Sequence, residues 1–158
     1  MICETLEDWA AALPAFGAVA GLDLGTETIG VAVSDSFRQV ATPLETIRRK
    51  KFGVDADKLL TICTHREIKG LILGLPLNMD GSEGPRCQST RAFARNLSRL
   101  TDLPIGYRDE RLSTVAAERA LLEADTTRKR RSEVIDHVAA SYILQGALDR
   151  LAHLKGGA

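Results

Sequence analysis

Aromatic residues make up only 4% of this 158-residue chain, and its formal net charge is zero. The first scarcity argues against extended stacking of bases on a protein surface. The second means that the molecule as a whole does not select a polyanion, so any nucleic-acid argument has to come from local clusters. No apolar run approaches the roughly 20 residues needed to span a bilayer. The start is acidic (Glu4, Glu7, Asp8) and lacks the basic opening of a secretory signal. The three cysteines, Cys3, Cys63 and Cys87, are odd in number, far apart and without metal-type spacing. A reducing cytoplasm is the expected location. There is no internal repeat and no low-complexity tract.

What is present is an ordinary globular composition, 44% hydrophobic and 27% charged. The length fits one domain able to bury most of its apolar surface. Two apolar runs dominate the first third, Val19-Ala20-Gly21-Leu22-Asp23-Leu24 and Ile29-Gly30-Val31-Ala32-Val33-Ser34, separated by a short turn. They predict an antiparallel hairpin over about 18–25 and 28–35. Ahead of it, Thr5 caps a short amphipathic helix over 5–13, with Leu6, Trp9, Ala10 and Leu13 on one stripe. A third strand is expected at 40–47, and Pro43 there marks an edge or a bulge.

Beyond this point the pattern alternates. Helices are expected at 54–66, 86–100, 113–124 and 132–154, and strands at 68–75 and 103–108. This predicts an α/β protein with a mixed sheet and helices on its faces. Arg48-Arg49-Lys50-Lys51 reads as a solvated loop. Arg128-Lys129-Arg130-Arg131 reads as the end of a basic linker before the last helix.

Three acidic positions do not suit their surroundings. Asp23 interrupts an apolar strand, where a carboxylate is costly to desolvate without a compensating cation or several donors; a turn-serving role is the simpler alternative. Asp136 falls in register with the buried stripe Ala139, Ala140, Ile143 and Ala147, although an acid near a helix start is also favoured by the macrodipole. Asp109 and Glu110 leave a strand side by side and point to opposite faces, so one can serve the turn while the other faces a site. Carboxylates crowded together must protonate or hold cations. Hard oxygen ligands suit Mg²⁺ or Mn²⁺, and two such ions can flank a phosphodiester. The basic run before the helix of Asp136 then becomes a candidate rim for nucleic-acid phosphates.

At these residues the chain resembles the YqgF family of the RNase H-like superfamily, related in fold to Holliday-junction resolvases. The matching segments are GLDLGTETIGVAVSD, GLILGLPLNMDGSEG, YRDERLST and IDHVAASYILQ, and the resemblance spans about residues 18–152. It implies a five-stranded mixed sheet with its first three strands antiparallel and helices on both faces. It also implies a single nuclease domain over 18–154 preceded by a helical extension over 1–17. By position it assigns Asp23, Glu110 and Asp136 as catalytic and metal-binding acids, choosing Glu110 over Asp109. The family is associated with processing the 5′ end of the small-subunit ribosomal RNA precursor, and has also been described as a resolvase.

Arg111 is placed to contact phosphate or to pair with Asp109 or Glu118. Asn78 and Arg86 flank a Gly-rich loop and either touch a nucleic-acid end or act as a turn former and a surface cation. Thr26 and Ser34 could hold waters behind Asp23. His137 points about 100° away from Asp136 on the helix and is expected to pack rather than to ligate. The expected partners are pre-rRNA and the ribosomal small subunit, with branched DNA as the alternative and no membrane, for a monomer or homodimer. Two readings of other classes are an actin-like ATPase or phosphotransferase fragment, which would need a second domain, and a non-catalytic ribosome-binding module.

Overall fold

The computed structural model describes residues 1–112 and 128–156, with side chains described for 1–111 and 136–154. The helix expected at 113–124 lies outside the described residues. In chain order the elements are β1 (Ile2–Cys3), α1 (Leu6–Ala12), β2 (Ala20–Leu24), β3 (Thr28–Ser34), β4 (Ala41–Arg48), α2 (Phe52–His65), β5 (Leu71–Leu75), α3 (Pro85–Ser98), β6 (Ile105–Asp109), a 3₁₀ turn (Glu110–Leu112) and α4 (Arg128–Gly156).

The strands form one mixed sheet in the order β1-β6-β5-β2-β3-β4. The expected antiparallel trio β2, β3 and β4 is present, and β2, β5, β6 and β1 run parallel to one another. Pro43 lies in the edge strand β4, next to a register shift at Val31/Ala32, so the proline removes no interior ladder bond.

Two expectations are corrected. The sheet has six strands rather than five, because residues 2–3 add a strand to β6, and the Ile105 amide donates to the Met1 carbonyl at 2.8 Å. Residues 1–17 therefore supply a strand as well as a helix. The second correction concerns Arg128–Arg131, which form the first turn of α4 rather than a linker.

Strand alternation sends side chains to two different layers. Leu22, Leu24, Ile29, Val31, Leu71 and Leu73 face α2 and α3 and form the larger core with Leu59, Phe93 and Leu97. On the other face Ala32 and Ile72 pack under α4 (Ala140, Leu144, Ala147, Leu148) and under α1 through Trp9 and Leu13. The Thr5 hydroxyl caps α1 by accepting from the Asp8 amide at 3.1 Å. The indole of Trp9 is fully buried and donates to the Pro104 carbonyl at 3.1 Å. Cys3, Cys63 and Cys87 are all buried free thiols. Among the described residues, no helix is long and apolar enough to cross a membrane.

Candidate active site

Asp23 occupies β2 with 5% of its surface exposed. It is paired with Gly30 of β3. On its other side the parallel β2–β5 pairing ends one residue earlier, at Leu22↔Leu73. Gly74, the next residue of β5, is paired with Arg108 of β6. Asp23 thus faces Gly30 on one side, and on the other it follows the last residue of β2 paired with β5, as Gly74 follows the last residue of β5 paired with β2.

The two glycines do different work. A Cβ on Gly30 would overlap the carbonyl of Asp136 and stand 2.8 Å from the His137 amide. The third turn of α4 thus lies directly on β3 at the residue paired with Asp23. A Cβ on Gly74 would meet Ile143 Cδ1 at 2.5 Å and Glu110 Oε1 at 2.6 Å. The Glu110 side chain accordingly folds back over β5 at Gly74. Sequence reasoning missed Gly30 and Gly74 as parts of the site. The available signal was that each is a glycine inside an apolar strand, the mark of a close approach.

Asp136 is half-buried, and its Oδ2 accepts a hydrogen bond from the Thr28 hydroxyl. Thr28 opens β3 two residues before Gly30, on the same face. Asp23, Glu110 and Asp136 therefore share one face and one end of the sheet. They do not close into a single cage: among the described residues, no group of three Asp, Glu, His or Cys side chains is arranged to hold a metal ion. The donor chemistry, carboxylate oxygens alone, is that of a hard divalent cation.

The other candidates separate clearly. Asp109 is engaged by Arg111, whose Nη2 donates to Oδ2 at 2.8 Å and whose Nε lies 3.2 Å from both oxygens. These charge-assisted bonds hold the Asp109 carboxyl below its ordinary range and the guanidinium above its own. Arg111 also donates to the Met79 carbonyl at 3.3 Å, so it ties the end of β6 to the glycine-rich loop. Asn78 forms the turn of that loop, donating to Ser82 Oγ at 3.0 Å. Arg86 donates to the Leu24 carbonyl at 2.9 Å.

His137 packs against β4, with Nδ1 2.9 Å from the Thr46 hydroxyl. Thr26 is exposed at the hairpin tip. Ser34 lies at the far end of β3, where it accepts from the Val19 amide at 2.9 Å and donates to the Asp35 carbonyl at 2.8 Å. It is a strand-end fastener and not a neighbour of Asp23, because an antiparallel hairpin places Ser34 opposite the start of β2. Side chains of Arg128, Lys129, Arg130 and Arg131 lie outside the described residues.

A family model described as "RuvX: Holliday junction resolvase" matches residues 17–150. The chain belongs to the RuvX family. Its similarity to curated members extends over their full length. One from Ruegeria pomeroyi is 79% identical over 98% of this chain and 100% of its own, and one from Rhodobacter capsulatus is 70% identical over 98% and 97%. Both carry the name "Putative pre-16S rRNA nuclease". Among solved structures, RuvC of Thermus thermophilus aligns with a TM-score of 0.52 at 14% identity, and its complex with a Holliday junction substrate with 0.51 at 12%, each covering 85% of this chain and 96% of the other. This likeness shows the RNase H-like fold for this RuvX chain.

Proposed function

We propose that this RuvX protein is a divalent-metal-dependent nuclease that hydrolyses phosphodiester bonds in RNA. Its role on this reading is maturation of the 5′ end of pre-16S rRNA in the cytoplasm. The observation that carries the reading is the buried Asp23 paired with Gly30 and Glu110 folded over Gly74, two acids on one face of the sheet. The names of the full-length relatives support pre-rRNA as the polymer.

Asp23 and Glu110 would hold Mg²⁺ or Mn²⁺, with Asp136 adding a third carboxylate from α4. When bound, such ions supply activation of water and neutralisation of charge on the phosphate, in the two-ion manner. The backbone of Asp23 is held by a strand that pairs on both sides. Thr28 fixes the rotamer of Asp136 by donating to Oδ2, leaving Oδ1 outside that bond. Gly30 and Gly74 let the Asp136 backbone and the Glu110 side chain approach the sheet on the face of Asp23. In the net reaction the oxygen of water bonds to phosphorus, the bond to the departing sugar oxygen breaks, and that oxygen takes the proton.

A second reading keeps the chemistry and changes the polymer to branched DNA, which the description of the matched family favours. One experiment separates them. Purified protein is incubated with precursor rRNA and with a four-way DNA junction, each with Mg²⁺ or Mn²⁺, beside an Asp23→Asn control. Cleavage of the precursor alone, lost in Asp23→Asn, is the expected result. Cleavage of the junction alone would replace RNA with DNA. Full activity in Asp23→Asn would remove Asp23 from the mechanism.

A further inference from the structure

The residue after Asp23 points to the opposite face of the sheet, and a second site begins there. Leu24 and Gly25 open one wall of a cavity of about 380 Å³, within the usual range for ligand pockets. Its charged lining is cationic: Arg49, Lys50 and Arg86. Hydroxyls of Thr26, Ser89 and Thr90 line it as well.

The two guanidiniums are held in place by the hairpin itself. Arg86 Nη2 donates to the Leu24 carbonyl at 2.9 Å, and Arg49 Nη1 donates to the Gly25 carbonyl at 2.6 Å. The Arg49 guanidinium also lies over the Phe93 ring, 5.7 Å from its centroid. Among the described residues, neither Arg49 nor Arg86 is paired with a carboxylate. Each thus keeps donors and a full charge for a ligand while its position is fixed.

The cationic lining residues come from the β4–α2 connection and from α3. Arg49 and Lys50 precede the N-cap Lys51 of α2, where the Lys50 amide donates to Asp55 Oδ1 at 2.9 Å, and Arg86, Ser89 and Thr90 belong to the first two turns of α3. Neither helix has a side-chain hydrogen bond at its N-cap. Three cations around one cavity, with no acidic residue in its lining, specify an anion.

We infer that this cavity binds a phosphate group of the substrate strand, on the sheet face opposite the carboxylates. The identification of the anion as a nucleic-acid phosphate rests on the nuclease reading; the anion site itself does not. Bound there, the phosphate accepts from Arg49 and Arg86, which the Leu24 and Gly25 carbonyls hold just after Asp23, and so fixes the register of the strand against the acidic face.

The test uses the full chain in two arms. In the first, inorganic phosphate is titrated while the backbone amides of Thr26, Ser89 and Thr90 are followed by NMR, with no metal and no nucleic acid present. Saturable shifts in the unmodified protein that vanish in Arg49→Gln/Arg86→Gln are expected. In the second, binding of a single-stranded RNA is measured by anisotropy in chelator across a salt series. One lost phosphate contact lowers the slope of log K against log salt by about 0.7 and weakens binding several-fold. This is expected for the double variant and for Lys50→Gln, whose exposed side chain makes it the safer substitution for folding. Arg99→Gln, at the other end of α3, should leave the slope unchanged. RNAs with a 5′-phosphate and a 5′-hydroxyl distinguish a terminal from an internal phosphate, since only the former would lose the variant effect on removal of the 5′-phosphate. Absence of phosphate-dependent shifts, or an unchanged slope in both variants, overturns the site. A normal phosphate response in a protein that cleaves neither polymer would sink the nuclease reading and leave the anion site standing.

Discussion

Gly30 lies directly beneath the backbone of Asp136, closer than any side chain would permit. The contact is between strand and helix main chain, so no flexible group can yield. Gly30→Ala should therefore destabilise the protein by about 1–3 kcal/mol, the range for overpacking, and shift α4 away from Asp23. Gly53→Ala is the matched control. It has nothing within 4 Å and should be neutral or stabilising by about 0.4–1 kcal/mol. Urea unfolding of the two variants checks both signs. Equal midpoints would mean that α4 does not sit on β3 as described.

Thr28→Val keeps the shape of the side chain and removes the donor to Asp136. If that bond orients Asp136 for cation binding, affinity for Mg²⁺ or Mn²⁺ should fall about 10–100-fold with the fold intact. Metal titration followed by calorimetry gives the number. Unaltered affinity would show that Asp136 orients itself, or stands outside the site.

Burial pushes the Cys63 thiol up to about 11. The folded protein then keeps a proton that the unfolded chain loses near its ordinary value of 9.0. Stability from this thiol is whole below pH 9 and declines as pH rises toward 11, at roughly 1.4 kcal/mol per unit. Between pH 8 and 10, wild type should lose about 1 kcal/mol more than Cys63→Ala does. Parallel declines would show that the thiol is not buried in solution.

Four cations begin α4, at the end where the helix macrodipole disfavours positive charge. Replacing Arg128, Lys129, Arg130 and Arg131 with Ser should leave the helix at least as stable, and should weaken nucleic-acid binding with a flatter salt dependence. An unchanged salt slope would show that the run serves no phosphate.

The hairpin, the capped first helix and the edge position of Pro43 were legible because each follows from local rules: alternation, an N-cap and a missing amide. Strand β1 was not, since two residues carry no periodicity and pair only with a distant partner. The start of α4 was placed at 132 rather than 128 because four consecutive cations carry no apolar stripe and look like a solvated linker. The residues alone left Asp109 and Glu110 open. Geometry places Arg111 on Asp109 and Glu110 over Gly74. Arg49 and Arg86 lie on segments far apart in sequence, so their meeting at the hairpin tip had no local signature.

Strand β1 also bears on how the chain is made. Ile2 and Cys3 leave the ribosome early, yet their partners Ile105 and Gly106 belong to the sixth strand. Until β6 has been synthesised, the N-terminal segment has no edge to join, and Trp9 lacks the Pro104 carbonyl that its indole needs. Closure of this sheet is thus expected to be a late, post-β6 event in translation. A bulky fusion placed ahead of Met1 would act on that final step while leaving the acidic face untouched.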